Sequence, residues 1–203
     1  METLLLLFRP IGTDAATFQM GLKAALPDGA QLAVALPDDA LPALAHVATR
    51  DAEVPDAVAT LTEAQDATAL LALADPVRSR LFTGVRHAIL PGRNTIRLFF
   101  GLRRLPALTR AAFQDYWLNH HADIGRRLIP PYTYHQIHNA TGGEPVANPM
   151  AATYDGIVEV HFPDIAALVS QLSRSDVAVE ALEDERNFID HARSRFWAFQ
   201  EIA

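Results

Sequence analysis

The apolar positions fall into short runs separated by stretches with helical spacing. Ile157 to Phe162 alternates most clearly. Val158, Val160 and Phe162 point one way, and Ile157, Glu159 and His161 the other, as a half-buried strand requires. Ile96 to Arg103 is almost wholly apolar and aromatic, the profile of a buried strand. Thr109 is a predicted N-cap for a helix in which Ala112, Phe113, Tyr116 and Trp117 share a face, and Pro130-Pro131 ends that region. Tyr132 to Asn139 is rich in β-formers, and Thr141-Gly142-Gly143 with Pro145 and Pro149 predicts a long loop. Pro163-Asp164 opens a helix carrying Ile165, Leu168, Val169 and Leu172. A charged helix is predicted from about Asp176 to His191, and Phe196 to Ile202 closes as a strand.

The first half repeats this order more faintly. Leu4 to Phe8, Gln31 to Leu36, Ala57 to Leu61 and Phe82 to Leu90 read as strands. Helices follow Thr13 (with Phe18, Met20 and Leu22) and span Asp66 to Ala74. The stretch between the second and third strands is rich in Ala, Asp and Pro. Each half has the order β-α-β-β-α-β, the ferredoxin-like unit. The expected fold class is α+β, with halves at 1–92 and 95–203 joined through Leu90 to Asn94. A sheet with helices on one face only must cover the other. Two halves in one chain can do so sheet on sheet, forming a closed barrel.

Composition narrows the function classes. The 203 residues carry a net charge of −7, with both halves mildly acidic, so nucleic acid is not an expected partner. There is no cysteine, which excludes disulfides, thiolate nucleophiles and cysteine metal sites. Neither a signal-peptide pattern nor a membrane-span run is present, so a cytoplasmic protein that avoids membranes is expected. No Gly-rich phosphate loop, nucleophile elbow or dinucleotide fingerprint occurs.

Four segments carry a resemblance. FQDYWLNHHA (Phe113 to Ala122), Tyr134 with His138, YDGIVEVHF (Tyr154 to Phe162) and RFWAFQEI near the end resemble the EthD family of the dimeric α+β barrel superfamily. The resemblance covers about Thr95 to Ala203, and the first half looks like an eroded copy. It implies an intramolecular version of that barrel, with an interior that binds a small apolar or aromatic molecule. Relatives include cofactor-independent cyclases, dehydratases, decarboxylases and lactone isomerases, and elsewhere in the superfamily quinol monooxygenases and haem enzymes. Cyclases with a similar strand place a histidine at the start of the final helix, where this chain has Asp176.

Six of eight histidines lie in the second half, and histidine is the usual general base near neutral pH. His121 matches the family histidine. Glu159 and His161 share the strand face expected to line the interior. Tyr134 and His138 share a face, and would line the pocket if that face is interior. The expected machinery is His121 or His161 as base, Glu159 orienting it, and Tyr134 donating to an oxyanion. No metal site is expected, since His135 and His138, three apart on a strand, point to opposite faces. No cofactor is required for the leading expectation, which is proton-transfer chemistry on an aromatic, polyketide-like or lactone molecule. A non-catalytic binding or stress protein and a haem-binding barrel are the rival readings. The two-half plan is compatible with a monomer or a homodimer.

Overall fold

A computed structural model describes residues 1–37, 40, 54–129, 132–140 and 154–203. Eight antiparallel strands form a closed barrel in the order β1-β3-β2-β8-β5-β7-β6-β4. They are β1 (Glu2–Leu7), β2 (Gln31–Ala35), β3 (Ala57–Thr62), β4 (Arg80–Leu90), β5 (Ile96–Leu102), β6 (Thr133–Asn139), β7 (Gly156–Phe162) and β8 (Arg195–Glu201). Closure removes every free sheet edge. The first four strands lie adjacent in the order β4-β1-β3-β2, and the last four in the order β8-β5-β7-β6. The barrel closes across the halves through β2 with β8 and β4 with β6.

Helices cover the outside. They are α1 (Ala15–Ala25), α2 (Thr68–Leu73), α3 (Arg110–Tyr116), α4 (Ala122–Leu128), α5 (Ile165–Leu172) and α6 (Ser175–Glu185). Their starts are built by side-chain caps. Asp14 accepts from the Thr17 amide, Thr109 from Ala112 and Asp164 from Ala167, each satisfying an amide that the first turn leaves open. The first of these moves the expected cap from Thr13 to Asp14. The helix expected after Thr109 is interrupted by a π-turn at Trp117–His121, and the charged helix ends at Glu185, before His191. The predicted Pro130-Pro131 break, the 141–149 loop and most of the Ala-, Asp- and Pro-rich stretch lie outside the described residues. Among the described residues no helix is long and apolar enough to cross a membrane.

Strand alternation sorts the core into an inner and an outer layer. Leu4, Leu6, Ala33, Val58, Phe82, Phe99, Ile137, Ile157, Trp197 and Phe199 form one cluster with members from all eight strands, so it fills the barrel. Outside, Leu5, Leu7 and Leu32 meet Phe18 and Leu22 of α1, and Val160 and Phe162 meet Leu168 of α5. Each large apolar chain so buried contributes about 1.5–3 kcal/mol. The inner cluster does not run the length of the barrel. At one end its place is taken by polar residues.

Candidate functional site at the polar end of the barrel

Glu159 lies in the middle of β7, inward-facing and fully buried. Its neighbour across the ladder on β6 is His135, and on β5 Phe99. Arg97, two residues before Phe99 on β5 and equally buried, reaches it diagonally, as long side chains can. Arg97 Nε donates to Glu159 Oε1 at 2.7 Å, and its Nη2 donates to that oxygen and, at 2.8 Å, to Thr60 Oγ1 of β3. Arg86 of β4 approaches from the other side. Its Nη1 lies 2.6 Å from Glu159 Oε2 and against His135 Nδ1, while its Nε donates to Glu2 Oε2 at 2.7 Å. His161 Nε2 is 3.1 Å from Glu159 Oε1, and His135 Nδ1 is 3.7 Å from Oε2. The first half thus supplies Glu2, Thr60 and Arg86, and the second supplies Arg97, His135, Glu159 and His161.

Burial alone would raise the Glu159 pKa. The Arg97 charge, the His135 and His161 imidazoles beside it, and the Arg86 charge overcome it and hold the carboxyl well below its usual range. Glu159 is a permanent anion at neutral pH, suited to orienting a base rather than acting as one. His161 Nδ1 lies 3.1 Å from the Asn94 carbonyl and 3.2 Å from the Asn94 amide. His161 Nε2, Glu159 Oε2 and Glu2 Oε1 are buried without an aligned hydrogen-bond partner. All three residues line a cavity of about 230 Å³, together with Gln31, Thr60, Thr62, Arg86 and His135. Arg93 stands at its rim, half exposed and paired with Glu201. An apolar cavity of ~150 Å³ holds one benzene, so this one has room for a single substituted ring.

The other expected site residues lie elsewhere. Tyr134 pairs with Val160 and packs beneath α4, so its face is the helix-covered outside of the barrel, not the interior. Its hydroxyl accepts from Gln136 at 2.8 Å, and burial raises its pKa. His138 shares this face. Its ring stacks on Trp117 with centroids 4.6 Å apart, and its Nε2 lies 3.0 Å from Gln136 Oε1. Burial, with the nearby His87, pushes the His138 pKa down to about 3. His121 ends the π-turn. Its Nδ1 lies 2.7 Å from Asp184 Oδ2 of α6, and Tyr116 donates to Asp184 Oδ1 at 2.7 Å. The four expected residues therefore form no single site. Glu159 and His161 meet in the barrel mouth, while Tyr134 and His121 belong to the helix layer.

His135 does not pair with His138 along its own strand. It meets His161 across the ladder, where Thr133 opposes His161 and His135 opposes Glu159. His135, Glu159 and His161 present ligand atoms all within 4.8 Å of one another. Arg86 and Arg97 escaped the reading of the sequence. A charged residue at an inward position of an apolar strand was the available signal for Arg97. Arg86 shows its role only once β4 is closed against β6.

The motif residues have packing explanations. A side chain at Gly156 would collide with the Trp117 ring, and one at Gly125 with the Tyr134 ring. Asp155 accepts from the Arg104 amide at 3.0 Å and from Arg110 Nε at 3.3 Å. The Tyr-Trp and Tyr-Asp-Gly motifs therefore lock α3 and the π-turn onto β7.

Residues 105–192 match the EthD domain. The second half of the chain is EthD-like, as its motifs imply. No curated protein matches the chain. Among solved structures it is similar to a candidate chlorite dismutase at 10% identity and TM-score 0.57, covering 100% of this chain and 94% of the other. A candidate monooxygenase of Lactobacillus acidophilus follows at 8% identity and TM-score 0.51, covering 98% and 92%. Another, of Fusobacterium nucleatum subsp. nucleatum, has 9% identity and TM-score 0.50, covering 100% and 91%. At these identities the likeness establishes the α+β barrel fold and nothing further.

Proposed function

We propose that this EthD-like protein binds a small oxygenated ring at the polar barrel mouth and transfers a proton on it with protein groups alone. The observation that carries the reading is the His135–Glu159–His161 row on the wall of a one-ring cavity. In the tautomer with its proton on Nδ1, toward the Asn94 carbonyl, His161 presents an Nε2 lone pair at the cavity wall. A proton taken there gives an imidazolium beside Glu159 Oε1, which stabilises it. Arg86 donates to His135 Nδ1, so neutral His135 carries its proton on Nε2 and can donate to a developing oxyanion. Isomerisation, cyclisation or dehydration of a hydroxylated aromatic or lactone all fit this pair of roles.

The repeated strand order supports reading the chain as two ferredoxin-like halves, 1–92 and 95–203, closing as a monomer. Because both halves line the mouth, neither half holds the site alone. A tetrapyrrole exceeds this cavity, which falls below the ~300–1,000 Å³ of drug-sized pockets. The second reading, oxygenation of a quinol-type ring, draws on the two candidate monooxygenases sharing the fold. Oxygen uptake during turnover separates it from proton transfer.

The test is a thermal-shift panel of hydroxybenzoates, quinols, muconolactone-type lactones and small aromatic polyketides. A ligand at a hundredfold excess over Kd adds about 2.7 kcal/mol of stability. Turnover of the ligand found should fall about 10²–10⁴-fold in His161→Ala. Unchanged turnover in His161→Ala and His135→Ala would remove the assignment.

A further inference from the structure

The same row of side chains has a second capacity. His161 Nε2 and Glu159 Oε2 are buried, line the cavity and have no aligned hydrogen-bond partner. His135 completes a set of two imidazoles and one carboxylate, each offering a ligand atom within 4.8 Å of the others, and its Nδ1 is 3.7 Å from Glu159 Oε2. Ligand atoms at ~2.1 Å from one ion lie at most ~4.2 Å apart, so the set needs only a slight inward movement. Two of the ligands are already held from behind. His161 Nδ1 lies 3.1 Å from a backbone carbonyl, the partner that commonly orients a metal-bound imidazole. Arg97 holds Glu159 through Oε1, which leaves Oε2 as the ligand.

One group stands in the way. Arg86 Nη1 is 2.6 Å from Glu159 Oε2 and also against His135 Nδ1, so a single guanidinium screens two of the three ligand atoms. It has somewhere else to go. Arg86 Nε already donates to Glu2 Oε2, and Glu2 Oε1 is buried without a partner. A shift to a bidentate pair with Glu2 would satisfy that oxygen and uncover Glu159 and His135 together.

We infer that His135, Glu159 and His161 form a binding site for a divalent first-row transition-metal ion, with Arg86 as the competing cation that guards it. Two imidazoles and a carboxylate suit Zn²⁺ or Fe²⁺, and the remaining coordination positions face the cavity. The inference goes beyond proton transfer. A bound ion takes the His161 lone pair and inhibits that chemistry.

Equilibrium dialysis with Zn²⁺ and titration with Co²⁺, followed by its visible absorption, test the site without any substrate. The full chain should bind one equivalent. Arg86→Gln, a quarter-exposed position, should bind at least ten times more tightly, because the competitor is gone. His161→Ala and His135→Ala should each lose the Co²⁺ spectrum while keeping the far-UV circular dichroism of the parent. No binding by either the parent or Arg86→Gln overturns the inference, as does equal or weaker binding in Arg86→Gln or binding that survives both histidine changes. These results leave the proton-transfer reading to its own turnover test.

Discussion

The molecule buries polar side chains in two places and treats them oppositely. Beneath α3 and α4, Gln136 links the Trp117 carbonyl and the Tyr134 hydroxyl through its amide nitrogen, and meets His138 through its oxygen. That group is neutral and packed against the Trp117 ring. In the barrel mouth Glu159 is charged, flanked by two guanidiniums, and adjoins a cavity with polar atoms left unpaired. Both regions carry histidine and family-motif residues, so residue type alone does not separate them. Charge and an adjoining cavity do. A closed polar group fixes packing, whereas an open charged one in a cavity can act on a ligand.

The contrast can be broken from either side. The largest effect is expected at Arg97. Arg97→Ala leaves Glu159 buried beside Arg86 alone and should cost about 3–5 kcal/mol in chemical denaturation. A cost near zero would mean that the mouth is wetter and less charged than described. Next comes Gly156→Ala, which presses a methyl group into Trp117 and should cost about 1–3 kcal/mol. Ligand affinity at the mouth should be unchanged, because the strain stays in the helix layer. A third effect concerns pH. His138 titrates near 6.5 when unfolded and at about 3 when folded, so the unfolded state binds the extra proton between these values. Its contribution is fully present above pH 6.5 and falls with decreasing pH, by about 1.4 kcal/mol per unit at most. His138→Phe keeps a ring on Trp117 and should flatten the stability profile between pH 6.5 and 3. An unflattened profile would place the acid sensitivity elsewhere.

Much of the barrel was legible in the chain because alternation reports directly on strand faces. Glu159 and His161 were assigned inward from the Val158, Val160 and Phe162 pattern, and that assignment agrees with the inner and outer clusters. The site was only half legible. Tyr134 and His138 share a face, but the sequence does not say which side of the sheet the helices cover. His135 was discounted along β6 because its partner comes from β7, and cross-strand neighbours follow register, not spacing. Arg86 lies 73 residues from Glu159 in sequence, and only barrel closure through β4 and β6 joins them. His121 carried the family motif, yet its partner Asp184 comes from a helix whose docking no local pattern announces.

The central claim is that the barrel mouth, and not the helix layer, receives the ligand. Imidazole ¹H–¹⁵N spectra of His121, His135, His138 and His161, recorded while the best thermal-shift ligand is titrated in, test it directly. The account predicts that His135 and His161 shift and saturate together at the ligand's Kd while His121 and His138 stay in place. Saturating shifts at His121 or His138, with His135 and His161 unmoved, would contradict it.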